Sequence, residues 1–499
     1  MNNNYDMKVE NPCIFVIFGA TGDLTKRKLI PALYSLFTKG KLPSHFAIVA
    51  TGRKAISKEE YVVIIKSELS KYLNKDLNEN ECNEFCKIFF YKIFDFTSEK
   101  EDFQNLKTYL DEVDNEFSTQ GNRMFYLAVA PEFFSLIISD LKKSFMLENN
   151  TSWQRVMVEK PFGTSLEAAK ELNKKILESL PENKIFRIDH YLGKEMVQNI
   201  VVIRFCNSIF ESMWNNNYID NIQIISTEKI GIEKRGSYYE NTGILKDMLQ
   251  NHILQMLSLI CMEAPVDLSP EAIRDEKVKV LRSLRTFEKE TDQDKIISGQ
   301  YDKGQIAEEE VNSYRDEDSV NPNSMTPTFI ALKTYVDNFR WGGVPIYIRA
   351  GKRLNTRITE IIVQFKKLPG TYFYDEFANT EPNVLKIKIY PTEGINFNIS
   401  AKRPGINLEI EKVEIDYFQK NKDSEMTFEP YERIIIGAIQ NNPAFFTRWD
   451  EIEYSWNFIK SVEEVLENSE LVYPNYESGS NGPEKVFDLL ERDGRNWWG

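Results

Sequence analysis

Short apolar runs alternate with amphipathic stretches over roughly the first 190 residues of the chain. The run Cys13–Phe18 is continuously apolar, which is typical of a strand buried on both faces. Pro31 lies within the first predicted helix, which therefore either kinks or begins its regular part later. The alternation predicts a parallel, doubly wound α/β sheet. Further strands are predicted at Phe46–Ala50, Ile88–Ile93, Met124–Val129 and Arg155–Val158, and helices at Leu24–Lys39, Lys58–Leu73, Lys100–Val113 and from Glu132.

The pattern changes beyond about residue 190. Helices are predicted at Lys194–Phe205 and Gly243–Met262, with a strand at Asn221–Thr227 between them. Several apolar runs then follow one another without intervening helices, which favours a large, mainly antiparallel sheet in an α+β domain. We therefore predict an α/β domain over residues 1–188 and an α+β domain over residues 189–499. The late strands are predicted at Phe329–Val336, Ile346–Arg349, Ile358–Phe365, Val384–Tyr390, Phe397–Lys402 and Leu408–Ile415.

Composition narrows the class of protein. The net charge of −14 over 499 residues argues against a protein that mainly binds nucleic acid. No stretch approaches the roughly 20 apolar residues of a membrane helix, and the N-terminus has no signal-peptide pattern. The five scattered cysteines form no CxxC pair, so we expect free thiols, no metal site and a cytoplasmic location. The acidic stretch Ala307–Asp318 is predicted to be a solvated loop or a helix end.

A glycine turn follows the first strand. Gly19 and Gly22 allow a tight turn, and the helix that follows offers free N–H groups to a phosphate. The spacing is GxxG and not GxGxxG, so a simple strand–helix connection is the alternative. The strand before the turn and the helix after it favour a dinucleotide site, and hence a Rossmann-type coenzyme domain.

The end of the second strand indicates which dinucleotide would bind. An acid at this place holds the ribose 2′-hydroxyl of NAD. The chain instead has Arg53 and Lys54, and its next acid is Glu59. Two cations suit the 2′-phosphate of NADP, although an ordinary surface pair is the alternative and the use of NAD is left open.

Two later stretches carry candidate chemistry. Lys160 follows a strand and precedes Pro161, which could be cis; the lysine either reaches a ligand or lies on a surface turn. The stretch Arg187–Glu195 combines a carboxylate, an imidazole, a phenol and an ammonium, a set that can bind a sugar phosphate. Its four members are Asp189, His190, Tyr191 and Lys194.

A histidine in the long second helix is the candidate base. Hydride transfer from a hydroxyl-bearing carbon needs a group that takes the hydroxyl proton, and a histidine hydrogen-bonded to a carboxylate suits this task. His252 lies among apolar residues, so a buried structural role is the common alternative. Asp247 is five positions away, and we expect the two not to share one face of an α-helix.

Taken together, these blocks resemble the glucose-6-phosphate dehydrogenase family in family order across nearly the whole chain. The stretch Arg187–Asn199 is the most specific of them, and the glycine turn alone is the least. The other blocks are Gly19–Phe37, Phe125–Pro131, Val158–Gly163, Gly243–Leu257, Arg340–Leu354, Tyr431–Ile439 and Asn481–Trp498.

The resemblance implies oxidation of glucose 6-phosphate at C1 by NADP⁺, the entry to the oxidative pentose phosphate pathway. It implies that His252 is the general base, paired with Asp189. Its implied phosphate ligands are His190, Tyr191, Lys194 and Arg357, and its implied ligands of the sugar hydroxyls are Lys160, Glu228, Asp247 and Lys352. Its implied coenzyme residues are Gly19, Thr21, Gly22, Asp23, Leu24, Arg53 and Lys160. It further implies a homodimer or homotetramer, with no metal and no nucleic-acid or membrane partner.

Three other interpretations remain. A two-domain oxidoreductase of non-phosphorylated sugars also combines a Rossmann turn with a Glu-Lys-Pro motif. An inactive sugar-phosphate sensor, or a purely structural α/β protein, would need no base. His45 matches no functional position and is predicted to lie in a surface loop.

Overall fold

The computed structural model describes residues 10–73, 77–97, 100–148, 151–367, 381–407, 409–419 and 427–498. Leu408, the first residue of the sixth late strand, lies outside these residues. So does the N-terminal segment 1–9, for which we predict no signal peptide. No described helix combines the length and apolar character that crossing a membrane requires. All five cysteines are described, and each is a free thiol.

The secondary structure begins as the hydrophobic pattern predicts. The strands are β1 (Cys13–Phe18), β2 (Phe46–Gly52), β3 (Phe89–Ile93), β4 (Arg123–Leu127), β5 (Gln154–Val158), β6 (Ile185–Ile188), β7 (Ile219–Thr227), β8 (Ile296–Gly299), β9 (Tyr301–Asp302), β10 (Gly304–Ile306), β11 (Glu309–Val311), β12 (Phe329–Thr334), β13 (Ile346–Gly351), β14 (Ile358–Phe365), β15 (Val384–Tyr390), β16 (Gly394–Lys402), β17 (Ile410–Phe418), β18 (Phe446–Thr447) and β19 (Tyr476–Glu477).

Helices connect and cover these strands. They are α1 (Ile30–Thr38), α2 (Lys58–Tyr72), α3 (Glu79–Lys87), α4 (Lys100–Phe117), α5 (Phe134–Lys143), α6 (Leu166–Leu177), α7 (Glu195–Phe205), α8 (Ser208–Met213), α9 (Gly236–Ile244), α10 (Leu254–Cys261), α11 (Pro270–Arg282), α12 (Pro430–Ile439), α13 (Trp449–Glu467) and α14 (Lys485–Glu491). Two wider, π-type segments span Thr25–Leu29 and Leu245–Ile253.

The first sheet is the predicted doubly wound sheet. Its order is β18-β6-β5-β4-β1-β2-β3, and all pairs are parallel except β18 with β6. Every residue of β1 is buried, because helices cover both faces. Side chains of α1, α2 and α3 pack on one face, and those of α4, α5 and α6 pack on the other.

The second sheet confirms the predicted large, mainly antiparallel architecture. Its order is β17-β16-β15-β14-β7-β13-β12-β8. Among the pairs within this sheet, only that of β7 and β13 is parallel. One apolar cluster joins the inner side of this sheet to α7, α10 and α13.

The first sheet is completed by a late part of the chain. Phe446 and Thr447 in β18 pair with β6, at the edge of the sheet. Ile434 and Ile435 of α12 are buried in the same apolar cluster as β1 and α1. Residues from beyond the predicted boundary at 188/189 therefore belong to the core of the first sheet, and the boundary itself stays a prediction.

The acidic stretch 307–318 agrees with its prediction in part. Most of its acids are exposed, but residues 307–311 form the turn and second strand of the hairpin β10–β11, and a 3₁₀ turn follows at Tyr314–Asp316. Tyr314 within it is fully buried, and its hydroxyl donates a hydrogen bond to Glu240 Oε1 at 2.6 Å. The buried tyrosine anchors the stretch despite its six acids.

The two π-type segments bear on two expectations of the sequence analysis, one about Pro31 and one about His252. The first segment ends at Leu29, so the regular helix α1 begins at Ile30 with Pro31 in its first turn, which agrees with the alternative that the regular part starts later. The second segment corrects the expectation that Asp247 and His252 point apart. The wider turn brings residues five apart closer to one face than an α-helix does, and both side chains contact Lys160 Nζ, at 2.8 Å from His252 Nε2 and 3.5 Å from Asp247 Oδ1.

Candidate active site

The glycine turn lies at the carboxyl ends of β1 and β2. The N–H groups of Gly19 and Ala20 donate to Thr51 O at 3.1 and 2.9 Å, which ties the turn to the end of β2. Gly19 has a φ of +100°, and a Cβ there would lie 2.4 Å from Ala128 O. No other residue fits this position without moving the backbone. Thr21, Gly22, Asp23 and Leu24 then lead into the helical turn that follows.

Arg53 lies directly after this end of β2 and is exposed. Hydrogen bonds from Thr97 and, to a smaller degree, the charge of Arg53 lower the pKa of Asp95. The guanidinium therefore stands near a carboxylate that follows β3. The preference for NADP stays a prediction, as does the surface-pair alternative.

His252 and Asp189 form a buried pair, with 1% and 2% of their surfaces exposed. His252 Nδ1 lies 2.5 Å from Asp189 Oδ1, which also accepts a hydrogen bond from Tyr191 N at 3.0 Å. A carboxylate accepts, so Nδ1 carries the proton and Nε2 presents a lone pair. His252 is buried, as its structural alternative requires, but its ring is surrounded by polar partners.

Lys160 faces that lone pair. Its Nζ lies 2.8 Å from His252 Nε2 and donates to Asp247 O at 2.9 Å. The surface-turn interpretation of Lys160 is therefore wrong, and the Lys160–Pro161 bond is cis. Burial and the charge of Lys160 hold the pKa of His252 well below its usual range, so the imidazole is neutral at neutral pH.

Two carboxylates and a second lysine extend this arrangement. Lys352 Nζ lies 2.5 Å from Glu228 Oε2 and 3.4 Å from Asp247 Oδ2, and Lys160 Nζ lies 3.5 Å from Asp247 Oδ1. Burial raises the pKa of Asp247, but Lys160 and Lys352 outweigh it and the net pKa is lowered. Burial opposes the charge on Lys352, whereas Asp247 and Glu228 raise its pKa. Two lysines and two acidic residues therefore alternate along this run of contacts.

Aromatic rings and cations lie on the other side of His252. The Tyr191 ring stacks on the imidazole at 4.1 Å, and the His190 ring meets its edge at 4.4 Å. Lys194 Nζ lies 3.3 Å above the centre of the Tyr191 ring. Burial lowers the pKa of Lys194 to about 8, and the charge of Arg357 acts in the same direction. Arg357 itself is exposed and lies over the ring of Tyr390.

Comparison with known proteins places the chain in one family. The family model "Glucose-6-phosphate dehydrogenase, NAD binding domain" matches residues 16–199, and "Glucose-6-phosphate dehydrogenase, C-terminal domain" matches residues 201–498. The chain belongs to the glucose-6-phosphate dehydrogenase family. The chain is 45% identical to a glucose-6-phosphate 1-dehydrogenase of Bacillus subtilis, over 97% of this chain and 98% of the relative. A Chlamydia pneumoniae protein of the same name is 41% identical, over 97% and 96%.

Solved structures of the glucose-6-phosphate dehydrogenase family show the same fold. One, described as glucose-6-phosphate dehydrogenase in complex with its substrate glucose-6-phosphate, has 34% identity and a TM-score of 0.89, covering 99% of this chain and 100% of the other. The Mycobacterium avium glucose-6-phosphate 1-dehydrogenase has 30% identity and a TM-score of 0.83, over 98% and 99%. The predicted fold class and family resemblance are confirmed. A nicotinamide-type coenzyme domain is a property of the family.

The structure also adds residues to which we gave no role from sequence. Tyr431 lies parallel to the His190 ring at 6.4 Å, and its hydroxyl donates to Glu159 Oε1 at 3.2 Å. Tyr126 also donates to this partly buried carboxylate, whose pKa is raised by burial. Glu393 lies near Lys194, and burial raises its pKa. Glu159 and Tyr431 fall in family-like blocks, so their sequence signal existed, whereas Glu393 carried none.

Three of these side chains have a spacing that a metal ion could bridge. Ligand atoms of Asp189, His190 and His252 lie within 4.8 Å of one another. Asp189 and His252, however, use one atom each in their mutual hydrogen bond, and the ammonium of Lys160 at Nε2 would repel a cation. We keep the prediction that no metal takes part.

Proposed function

We propose that the protein oxidises β-D-glucose 6-phosphate at C1 with NADP⁺, giving 6-phospho-D-glucono-1,5-lactone and NADPH, the first step of the oxidative pentose phosphate pathway. The observation that carries the proposal is the buried pair of His252 and Asp189. The imidazole of His252, which is hydrogen-bonded to Asp189, stacks on the ring of Tyr191. Lys194 Nζ lies over the other face of the same tyrosine ring. A neutral base and a cationic anchor therefore stand side by side.

The turn after β1 fits a dinucleotide. A Cβ at Gly19 would clash with Ala128 O, so the positive φ of this turn requires glycine, as in the turns that approach a pyrophosphate closely. The residues that would hold the coenzyme are Gly19, Thr21, Gly22, Asp23, Leu24, Arg53 and Lys160. Arg53 would bind the 2′-phosphate that distinguishes NADP from NAD. When bound, NADP⁺ supplies the acceptor for the hydride that leaves C1.

His252 is the proposed general base. Its Nε2 takes the proton of the C1 hydroxyl as the C1–O bond becomes a carbonyl. The Nδ1–H bond to Asp189 fixes the tautomer and stabilises the imidazolium that forms. Lys160 now donates to Nε2, so the C1 hydroxyl has to enter between these two atoms. Lys160 then faces the C1 oxygen with a positive charge.

The remaining side chains bind the non-reacting parts of the sugar. Lys194 and Arg357 would neutralise the phosphate dianion, with His190 and Tyr191 as further donors. Glu228, Asp247 and Lys352 would hold ring hydroxyls, together with Lys160. Contacts to the phosphate far from C1 position the reacting carbon, because binding energy there restricts the orientation of the sugar.

We also propose a cytoplasmic homodimer or homotetramer that assembles through the second sheet. The edge strand β17 leaves Ile415 and Tyr417 more than half exposed, at 53% and 55%. An exposed apolar edge strand favours pairing with another chain. The coenzyme and substrate domains are proposed to meet at residues 188/189.

A plate assay of NADPH formation at 340 nm tests the proposed function. Glucose 6-phosphate is compared with glucose, and NADP⁺ with NAD⁺, on the purified protein. A rate that requires both the phosphate and NADP⁺ supports the whole proposal. Equal rates with NAD⁺ would keep the dehydrogenase and remove the argument from Arg53. No rate with any pair, from folded protein, would favour a sensor.

Replacing Arg53 with alanine is expected to raise KM for NADP⁺ by about 10- to 100-fold, because a charged hydrogen bond to the 2′-phosphate is lost. NAD⁺ lacks that phosphate and serves as the internal control, so its KM should stay within about twofold of the wild-type value. An equal rise for both coenzymes would show that Arg53 acts on the turn and not on the phosphate.

The rate with glucose 6-phosphate is expected to fall as the pH rises through about 8, the pKa of Lys194. Below this pH the ammonium is charged and binds the phosphate dianion; above it the lysine is neutral and affinity is lost. Lys194→Arg keeps its charge throughout, so its kcat/KM should stay level over the same range. The same fall in the arginine variant would assign the titration to another group.

A further inference from the structure

A small internal cavity lies beside Asp189, among α10, α13 and the segment that holds Lys160. About 10 Å³ of it is open to the centre of a water-sized sphere. Asp189, Gln255 and Ser455 all line it, and each of these side chains is at most 2% exposed. This chamber is partly open and is lined by both apolar and polar side chains, and it lies on the side of Asp189 that the mechanism above leaves unused.

The polar atoms of these three residues lack partners among the described residues. Asp189 Oδ1 binds His252 and Tyr191, but Oδ2 has no hydrogen bond. Gln255 Oε1 and Ser455 Oγ are likewise buried without a hydrogen bond. Three unpaired oxygens around one cavity are unusual, because a buried polar group without a partner destabilises the folded protein.

A single water molecule in this cavity would satisfy all three atoms. Its two O–H groups would donate to the acceptors Asp189 Oδ2 and Gln255 Oε1, and its oxygen would accept from the Ser455 hydroxyl. Buried waters need two to four polar partners and roughly 10–15 Å³ of such space, which this cavity supplies at its lower limit.

We propose that Asp189, Gln255 and Ser455 bind one ordered water molecule, and that Gln255 and Ser455 are positioning residues that hold the Asp189 carboxylate toward His252. This inference rests on the proposed function of His252 as the base. Two oxygens of the carboxylate are then fixed, one by His252 and one by the water. A carboxylate fixed at both ends cannot rotate away from Nδ1.

Charged groups around the chamber also favour the ionised form of Asp189. Burial raises the pKa of Asp189, and His190, Lys160 and Lys277 oppose the rise. Lys277 is itself buried and lies 2.7 Å from the buried carboxylate of Glu451, one turn before Ser455 on α13. A water that donates to Oδ2 adds to the groups that favour the ionised carboxylate.

The kinetic test uses Ser455→Ala and Gln255→Met, which remove one partner of the water each. We expect kcat to fall about tenfold in either variant, with KM for glucose 6-phosphate changed by less than about twofold, because the sugar is bound elsewhere. The double variant should lose little more than either single one, since both act through the same water. If the two substitutions acted independently, the fall in kcat of the double variant would be the product of the two single falls.

Ser461→Ala is the matched control. Ser461 is also a buried serine of α13, but its hydroxyl bonds to Phe458 O and Phe287 N, away from the chamber. Its kcat should stay near the wild-type value. Unchanged kcat in both Ser455→Ala and Gln255→Met, or a multiplicative double variant, would overturn the positioning role.

A crystal structure of the wild-type protein tests the site without reference to activity. We expect density for one water within about 2.6–3.2 Å of all three oxygens. If no water density lies within hydrogen-bond distance of these oxygens, the proposal is overturned, even if the variants fail to fold. A wild-type protein with no dehydrogenase activity but with this water would instead refute the proposed function alone.

Discussion

His252→Asn is expected to lower kcat with glucose 6-phosphate by a factor of about 10² to 10⁴, the range for the loss of a general base. Asparagine keeps a donor for Asp189 Oδ1 but presents no basic nitrogen to the C1 hydroxyl. KM should change little, because the proposed phosphate ligands Lys194 and Arg357 stay in place. Steady-state kinetics over a range of sugar concentrations separate the two constants.

His45→Asn is the control for this substitution. His45 is exposed in a loop, as its sequence predicts, and its Nδ1 lies 3.0 Å from Phe117 O. Its kcat should match the wild-type value. A His252→Asn variant with near-normal turnover would remove His252 from the base role, whatever its contacts with Asp189 and Lys160.

Lys194→Ala is expected to raise KM for glucose 6-phosphate by about 100-fold and to leave kcat within a few-fold of the wild-type value. Lys194 is largely buried over the Tyr191 ring, where a charge is poorly screened by solvent. The loss of its charge leaves Arg357, which is exposed, as the nearest proposed cation for the phosphate.

Glucose itself is the internal control, because it has no phosphate. Any slow oxidation of glucose should have the same kcat/KM in the Lys194→Ala variant and in the wild type. Lys87→Ala, at an exposed lysine of α3, tests for a general effect of lost charge and should leave both constants unchanged. An unaltered KM for glucose 6-phosphate in Lys194→Ala would exclude Lys194 as a phosphate ligand.

Local patterning predicted the strands that lie in the middle of each sheet. The bounds of β14 and β15 match the apolar runs Ile358–Phe365 and Val384–Tyr390, because their side chains face a core on at least one side. Some of the elements that were missed have weak local signals, whereas α6 and α13 are long amphipathic helices that the pattern could have indicated. The helix α3 is short and mostly polar, and β6 has four residues. The strand β18 exists only through its pairing with a distant strand.

In the candidate site, too, some features had a signal in the sequence and others had none. Residue types indicated a base and a phosphate pocket, and family blocks supplied most positions. The shared face of Asp247 and His252 could not be predicted, since a run of i to i+5 hydrogen bonds has no clear sequence signature. The environment of Lys160 was equally hidden, because its partners are 87 and 92 residues away.

The pairing of Phe446 with Ile188 joins residues 258 positions apart. On the ribosome, the outer edge of β6 therefore stays unpaired until almost the whole chain has been translated. The apolar surface that α12 covers is open to water for the same interval. Open edges and apolar faces recruit other strands, so nascent chains halted before this region are prone to aggregate and depend on chaperones. A gene fragment encoding only the first 199 residues would express a chain whose first sheet lacks both β18 and the cover of α12.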